Sequence, residues 1–209
     1  MRSVHSSSGL VRLLGAPDAG GEPPAGMDVA ERLSLWFNAF DAIALQGVHQ
    51  QLRAVAAPAA DRTRARAPSA LAEEFRQVRG VLARSIARAV EIQGDAPRYG
   101  DYERRHQEVQ RQMEQMIGAL REHVRQALAR GSAALRQLAA LDAAFDGLLA
   151  RREQALLPKV AAMLRPRFDN GSDAFAAQWR QALLAELDLR LEPVAGLLAA
   201  LDTEWNTPR

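Results

Sequence analysis

The sequence predicts an all-α protein, an elongated helical bundle with a long spine helix and a C-terminal helical hairpin. Composition is the first reason, since the 209 residues include 41 alanines and 27 leucines but only 19 valines, isoleucines and threonines together. Alanine and leucine favour helices, whereas β-branched residues favour strands. The second reason is that apolar residues recur every three to four positions through most of the chain, which is the period of an amphipathic helix.

The chain divides into a short polar start and one long helical part. Residues 1–26 are rich in serine, glycine and proline. Such a composition buries too little apolar surface to become ordered, so this segment is predicted to be mostly flexible. Residues 27–209 are predicted to form a single helical domain with helices at about 27–57, 69–92, 101–165 and 172–203.

The first two helices have recognisable starts and apolar stripes. Asp28 with Glu31 has the spacing of a capping box, and Ser69 is a helix cap for the second helix. The stripe of the first helix consists of Leu33, Trp36, Phe37, Phe40, Ala44, Val48, Leu52 and Val55. Leu71, Phe75, Val78, Leu82, Ile86 and Ala89 form the stripe of the second. Each helix therefore has one face to bury against the rest of the bundle.

The third helix is predicted to be a spine that runs through Gly131. Between Met113 and Leu149 its apolar stripe advances by about 3.6 residues per step, the phase of a straight helix. Gly131-Ser132 is the one place where a helix could end and another begin, but the phase continues across it. A helix from Asp101 to Leu157 would be about 85 Å long. Its own chain could not cover such a helix, so we expect self-association or binding to another helical protein.

The fourth helix is predicted to pair with the second half of the spine as a hairpin. Its apolar stripe runs from Phe175 to Trp205, and Pro193 is expected to kink it. Residues 187–192 alternate between apolar and charged as a strand would, but they lie within a helical phase and are assigned to the helix. The aromatic residues are interpreted as core anchors rather than a ligand cage; they are Trp36, Phe37, Phe40, Phe75, Phe145, Phe175, Trp179 and Trp205.

Three segments resemble a family of uncharacterised proteobacterial all-helical proteins. They are residues 6–14 (SSSGLVRLL), 31–36 (ERLSLW) and 186–198 (ELDLRLEPVAGLL). The resemblance covers essentially the whole chain and carries over no catalytic or binding residue. It implies a setting near genes for inner-membrane stator-like and peptidoglycan-binding envelope proteins. The implied role is that of a cytoplasmic accessory to an envelope-associated complex.

One pair of residues has the spacing of a metal-binding motif. Glu103 and His106 form a Glu-x-x-His pair, which places two ligands on one helix face in ferritin-like di-iron bundles. Such a site needs a second copy of the pair and two more glutamates, and no other histidine repeats it. The pair is therefore interpreted as a solvated first helical turn, and no metal or other cofactor is expected.

Two close pairs of carboxylates and one serine are the other candidates for chemistry. Asp142 with Asp146, and Glu186 with Asp188, are interpreted as solvated residues on an exposed helix face, where burial would not shift a pKa. Ser132 lacks the glycine pattern and preceding strand of a nucleophile elbow, so it is interpreted as a helix cap or helix interior. We therefore expect no enzyme.

A run of arginines supplies the alternative function. Arginine side chains suit phosphate groups, and about six contacts would give salt-sensitive binding to nucleic acid or an anionic surface. The candidate residues for binding a polyanion are Arg62, Arg64, Arg66, Arg76, Arg79, Arg84 and Arg88. Glu73, Glu74 and Glu91 dilute this patch, so a solvated face is the default interpretation.

The preferred function is that of a non-enzymatic helical interaction or scaffold protein. A protein partner or a second copy of the chain is expected, with nucleic acid as the less favoured partner. The chain has no cysteine and no apolar stretch long enough to span a membrane. Because disulfides are rare in the cytosol, the lack of cysteine fits the expected cytoplasmic location.

Overall fold

The computed structural model describes residues 46–47, 68–91, 98–169 and 175–206, and in this part of the chain it contains helices and no strand. The helices are α1 (Pro68–Val90), α2 (Tyr99–Ala129), α3 (Ala133–Leu156), α4 (Pro158–Asp169) and α5 (Phe175–Asn206). The predicted all-α class is confirmed. The predicted flexible segment 1–26 lies outside the described residues. So does most of the predicted helix 27–57, of which Gln46 and Gly47 are described as helical and exposed.

The core is formed where α1, α2 and α5 pack against one another. Helices α1 and α2 are antiparallel, because Ser85 Oγ donates to Gln112 Oε1 at 2.5 Å while the other end of α1 reaches the far part of α2. Helix α5 runs parallel to α2, with Phe175 near Tyr102 and Glu204 near Ser132. The fully buried side chains at this centre include Leu71, Leu82, Ile86, Met113, Val124, Leu128, Leu183 and Leu187.

The continuous spine helix expected across Gly131 is wrong, because α2 ends at Ala129 and α3 begins at Ala133. The N–H of Gly131 donates to Leu128 O at 2.9 Å. Ser132 then caps α3, its Oγ accepting from the Leu135 N–H at 3.2 Å. The break occupies three residues, which is close to one helical turn. The apolar stripe therefore keeps its phase across a turn that reverses the chain, and periodicity alone could not reveal the break.

Close packing at Gly131 and hydrogen bonds to Glu204 hold the chain in this turn. A Cβ atom on Gly131 would lie 2.6 Å from Leu135 Cδ1 and 3.2 Å from Leu128 O, so glycine allows the close approach. The carboxylate of Glu204 in the last turns of α5 accepts from both the N–H and the hydroxyl of Ser132. It thereby places a negative charge at the N-terminus of α3, where the helix dipole favours one.

The expected hairpin between the second half of the spine and the last helix is also wrong. Helix α3 folds back antiparallel on α2, whereas α5 packs mainly on α1 and α2. The outer position of α3 leaves its stripe only partly covered. Leu135 is buried, Leu141 and Phe145 are half-buried, and Leu149 is 37% exposed.

Pro158 and Pro193 lie in the second half of the chain, and helix is present on both sides of each. Leu157 keeps helical backbone angles (φ −63°, ψ −36°) and its N–H donates to Glu153 O, so α4 follows α3 closely. Pro158 is the first residue of α4, where its missing N–H costs least. Pro193 lies inside α5, and residues 187–192 are helical, as predicted.

Replacing the cap at the α2–α3 turn should weaken the fold measurably. We expect Ser132→Ala to lower the free energy of unfolding by about 1 kcal/mol, because the variant loses the acceptor for the Leu135 N–H. Gln115→Ala, on the exposed face of α2, is the matched control and should change stability by less than about 0.5 kcal/mol. Urea unfolding followed by circular dichroism measures both. Equal midpoints for the two variants would contradict the assigned cap.

Candidate interaction surface and buried polar cluster

A polar cluster lies inside the bundle where α2, α5 and the end of α3 meet. Glu186 and His106 are fully buried and Gln110 is nearly so. Gln110 Nε2 donates to both carboxylate oxygens of Glu186, at 3.0 and 3.1 Å, and to Leu157 O at 3.0 Å. Arg190 Nε donates to Glu186 Oε1 at 2.9 Å. The buried carboxylate therefore has an adjacent cation and a neutral donor, the arrangement that a buried charge requires.

Burial controls the protonation of this cluster. It lowers the pKa of His106 to about 4, and the Arg190 guanidinium acts in the same direction. Burial also raises the pKa of Glu186, against the opposing effects of Arg190 and of the hydrogen bond from Gln110. His106 Nε2 lies 3.7 Å from Glu186 Oε2, too far for a hydrogen bond. His106 is therefore neutral at pH 7 and packs against Trp179, with 6.2 Å between the ring centres.

The interpretation of His106 and Glu186 as solvated residues is wrong. His106 lies in phase with buried Tyr102, Val109 and Met113, so its helical position marked it as an inward residue. Glu186 stands beside Leu187 in the stripe of α5. Glu186 is buried because Gln110 and Arg190 donate hydrogen bonds to it, whereas both ring nitrogens of His106 are buried without a hydrogen-bond partner.

The two residues of the Glu-x-x-His pair point in different directions. Glu103 is exposed, whereas His106 points into the core. Among the described residues no group of three or more histidine, cysteine or acidic side chains is placed to hold a metal ion.

Asp142 is not solvated either, and together with the partly exposed Asp146 it joins α3 to α2 through two arginines. Arg121 donates to Asp142 from Nε and Nη2, at 2.9 and 2.7 Å, and to Asp146 from Nη1 at 2.6 Å. Arg125 Nη1 donates to the same two carboxylates at 3.2 and 2.9 Å. Three of the four side chains are between 11 and 15% exposed. This network fixes the antiparallel position of α3 on α2.

Removing the carboxylate of Asp142 tests how much this network contributes to stability. We expect Asp142→Ala to lower the free energy of unfolding by about 2 kcal/mol, since two half-buried guanidinium groups lose hydrogen bonds. Asp188→Ala, which removes an exposed ion pair to Arg79, should cost less than about 1 kcal/mol. Thermal unfolding at two salt concentrations measures both, and a cost for Asp142→Ala no larger than that for Asp188→Ala would contradict the stated role.

A half-open groove of about 800 Å³ lies between α2, α3 and α5, next to the buried cluster. Gln110 and Arg190 reach both the groove and Glu186, whereas the two ring nitrogens of His106 have no accessible surface. The other charged side chains that line the groove are Arg111, Glu114, Arg121, Asp146, Glu153 and Glu192. The imidazole therefore cannot reach a molecule in the groove.

Four of the predicted arginines lie on α1, within the described residues. Arg76 is paired with Glu73 and Arg79 with Asp188. Arg84 and Arg88 are exposed on α1. The remaining candidates, Arg62, Arg64 and Arg66, lie outside the described residues.

The interpretation of the aromatic residues as core anchors holds for some of them. Trp179 is 1% exposed and lies edge-on to Tyr102, with 5.3 Å between ring centres. Phe175 is buried, whereas Phe75 and Phe145 are half-buried. The interpretation is wrong for Trp205, which is 47% exposed at the end of α5. Trp36, Phe37 and Phe40 lie outside the described residues.

Three large apolar side chains are exposed along the outer face of α3 and α4. Leu149 is 37% exposed, Leu156 55% and Met163 46%. They are spaced by seven residues, which keeps them on one side of a helical path, and Leu157 preserves that path between the two helices. We call these three residues the apolar seam. Leu149 was expected to be covered, while Leu156 and Met163 belong to no predicted stripe.

The chain belongs to a family of proteins whose function is not known. The model of this family, described as "Protein of unknown function (DUF3348)", matches residues 1–174 and 170–203. No curated protein and no solved structure was found to match. None of the described helices is long and apolar enough to cross a membrane.

Proposed function

We propose that this protein is a non-enzymatic interaction protein that binds an amphipathic helix of a protein partner along the apolar seam. The exposure of Leu149, Leu156 and Met163 at a seven-residue spacing is the observation that carries this proposal. An amphipathic helix that docks on another helix places apolar side chains at this spacing. Exposed apolar side chains that lie in line mark interaction surfaces more often than single ones do.

The charge around the seam indicates the chemistry of the partner. Helix α4 carries Lys159, Arg165 and Arg167 against one acid, Asp169. Lys159, one turn before Met163, is exposed, whereas Arg165 lies over the Tyr99 ring and pairs with Asp169. An apolar stripe with acidic residues at its edges fits this surface best, because complementary charge speeds association and fixes orientation. An accessory of an envelope-associated complex would use such a surface to hold another subunit.

The proposed binding role does not require a long spine helix. The turn at Gly131 removes the long uncovered helix from which self-association was expected. The apolar seam is the exposed surface that a partner would cover instead. The enclosure of His106 and Glu186 is a further support for a non-enzymatic role, since both are fully buried.

Matched surface variants test the proposal. Three proteins are expressed in the native cell and purified under the same conditions. They are the full chain, the double variant Leu156→Ser/Met163→Ser (the seam pair) and the control Trp205→Ser. Trp205 is similarly exposed but lies at the end of α5. We expect specific proteins to be retained by the parent and by Trp205→Ser and to be lost by the seam pair. Retention of the same set by all three would exclude the seam as the binding surface.

The same purification also tests the alternative function, in which arginines bind nucleic acid or an anionic surface. Arg84→Gln/Arg88→Gln removes two of the exposed arginines of α1. Loss of bound nucleic acid or anionic lipid by this variant, with no effect of the seam pair, would favour the alternative, because phosphate contacts give salt-dependent binding.

A further inference from the structure

The groove between α2, α3 and α5 contains a guanidinium group with unused hydrogen-bond donors. The side chain of Arg190 is 14% exposed, lines the groove and donates from Nε to the buried Glu186. This contact leaves both Nη atoms accessible and without a hydrogen-bond partner among the described residues. Two donors on one edge of a guanidinium match the two oxygens of a carboxylate. Because Glu186 already holds the group in place, a ligand carboxylate would bind a preorganised partner.

The hydrogen bonds of Gln110 fix which residues face one another across the groove. Gln110 donates to Glu186 on the parallel helix α5 and to Leu157 O at the end of the antiparallel helix α3. One turn further along α2, the facing residues are therefore four positions after Gln110, four positions after Glu186 and four positions before Leu157. These residues are Glu114, Arg190 and Glu153, and all three line the groove.

The carboxylates at this level are available to a positive group. Glu114 and Glu153 are exposed, as is Glu192 on α5, and none of the three has an ion pair or hydrogen bond with the described residues. Arg111 is the one other unpaired cation among the described residues of the groove. One turn below, the carbonyl oxygen of the nearly buried Gln110 is accessible and accepts no hydrogen bond within the described part of the chain. An ammonium group between the facing carboxylates would relieve their mutual repulsion.

The next level of the groove is apolar and open. Ile117, Ala150 and Pro193 each lie three residues beyond the charged level on their helices and line the groove. A Cβ atom on Gly118 or on Gly147 would have no neighbouring atom within 4 Å, so there is room for a side chain at this level. The volume of about 800 Å³ lies in the usual range of small-molecule sites.

We propose that this groove binds a small zwitterion of the α-amino-acid type that carries an apolar side chain. The carboxylate of the ligand accepts from the Nη atoms of Arg190. Its ammonium group lies between Glu114 and Glu153, and its side chain packs on Ile117 and Pro193. A free amino acid and a short peptide share this chemistry. The groove is a different surface from the apolar seam, so this inference goes beyond the proposed function and does not rest on it.

Titration of the full chain with leucine, followed by the amide NMR shifts of the protein, tests the site. We expect saturable shifts at Gly118 and Gly147, with a Kd below about 1 mM. N-acetyl-leucine lacks the ammonium group and leucinamide lacks the carboxylate, so each should bind at least about tenfold more weakly than leucine. Leucyl-leucine separates the two sources, since tighter binding than leucine assigns the site to short peptides and any other order assigns it to free amino acids.

Variants of exposed residues test the same contacts from the side of the protein. Glu114→Gln/Glu153→Gln should weaken leucine binding at least about tenfold and leave the binding of N-acetyl-leucine unchanged. Glu108→Gln is the matched control, because Glu108 is exposed on α2 but does not line the groove. Glu186→Leu/Arg190→Met removes the guanidinium together with its buried partner and should abolish leucine binding.

Four results would overturn the inference. They are the lack of saturable shifts up to about 10 mM leucine, shifts confined to residues outside the groove, equal binding of leucine and leucinamide, and equal binding of leucine and N-acetyl-leucine. The third would make the groove a site for cations alone, and the fourth a site for anions alone. The proposed function is tested separately, because the seam pair leaves the residues of the groove unchanged.

Discussion

Replacing Glu186 by leucine should lower the free energy of unfolding by about 3–5 kcal/mol, the usual cost of removing one partner from a buried ion pair. Glu186 is fully buried and accepts hydrogen bonds from Gln110 and Arg190. The leucine leaves the Arg190 guanidinium, whose side chain is 14% exposed, without its carboxylate. Denaturant unfolding of the parent and the variant at pH 7 measures this cost.

Two further variants separate the loss of charge pairing from a general disturbance of α5. Glu186→Leu/Arg190→Met removes both charges, and we expect it to recover most of the lost stability, because an apolar pair of similar size is often as stable as a buried ion pair. Asp188→Asn, two residues away on the exposed face, should cost less than about 1 kcal/mol. A double variant no more stable than Glu186→Leu would show that packing, rather than an unpaired charge, causes the loss.

Acid should destabilise this protein between about pH 6.5 and pH 4 through His106. The pKa of this imidazole is about 4 in the folded chain against 6.5 for an unperturbed histidine. As the pH falls through this window, the unfolded chain binds a proton at this site before the folded chain does. Stability is therefore lost with falling pH, and the difference of about 2.5 pKa units corresponds to about 3 kcal/mol when the window has been crossed.

A variant without the imidazole isolates this contribution. The groups that face His106 are Glu186 and Arg190, and the raised pKa of Glu186 acts in the opposite direction, since the folded chain then takes up a proton first. His106→Leu should therefore lose about 3 kcal/mol less than the parent between pH 7 and pH 4. Melting temperatures across this range provide the comparison. Parallel pH profiles for the two proteins would mean that the His106 site is not buried in solution.

The sequence was sufficient for the all-α class and for α1 and α5, and insufficient for the end of α2 and for the arrangement of the helices. Apolar periodicity identified α1 to within two residues at each end and the buried stripe of α5 as far as Leu201. Periodicity could not detect the turn at Gly131, because three residues restore the phase of the stripe. The packing of α5 on α1 and α2 depends on that turn, so the expected hairpin failed for the same reason.

The candidate site was less predictable because it depends on neighbours that are distant in sequence. The burial of Glu186 depends on Arg190 of its own helix and also on Gln110, 76 positions earlier, which supplies hydrogen bonds at the same level of the bundle. The apolar seam arises because α3 lies outside the three-helix core, which no local pattern indicates. His106 is the exception, since its phase with Tyr102 and Val109 marked it as buried.

The contact between Glu204 and Ser132 also has a consequence for the order of folding. Helices α1, α2 and α3 can meet through contacts between neighbouring helices, but α5 joins them through contacts as distant as Arg79 with Asp188, 109 positions apart. Such long loops close late and slowly, because their closure entropy is lost before the contact forms. During synthesis the apolar faces of α1 and α2 therefore stay uncovered until α5 has been made and packs on them. Newly made chains are then most vulnerable to aggregation in the interval before Glu204 reaches the α2–α3 turn.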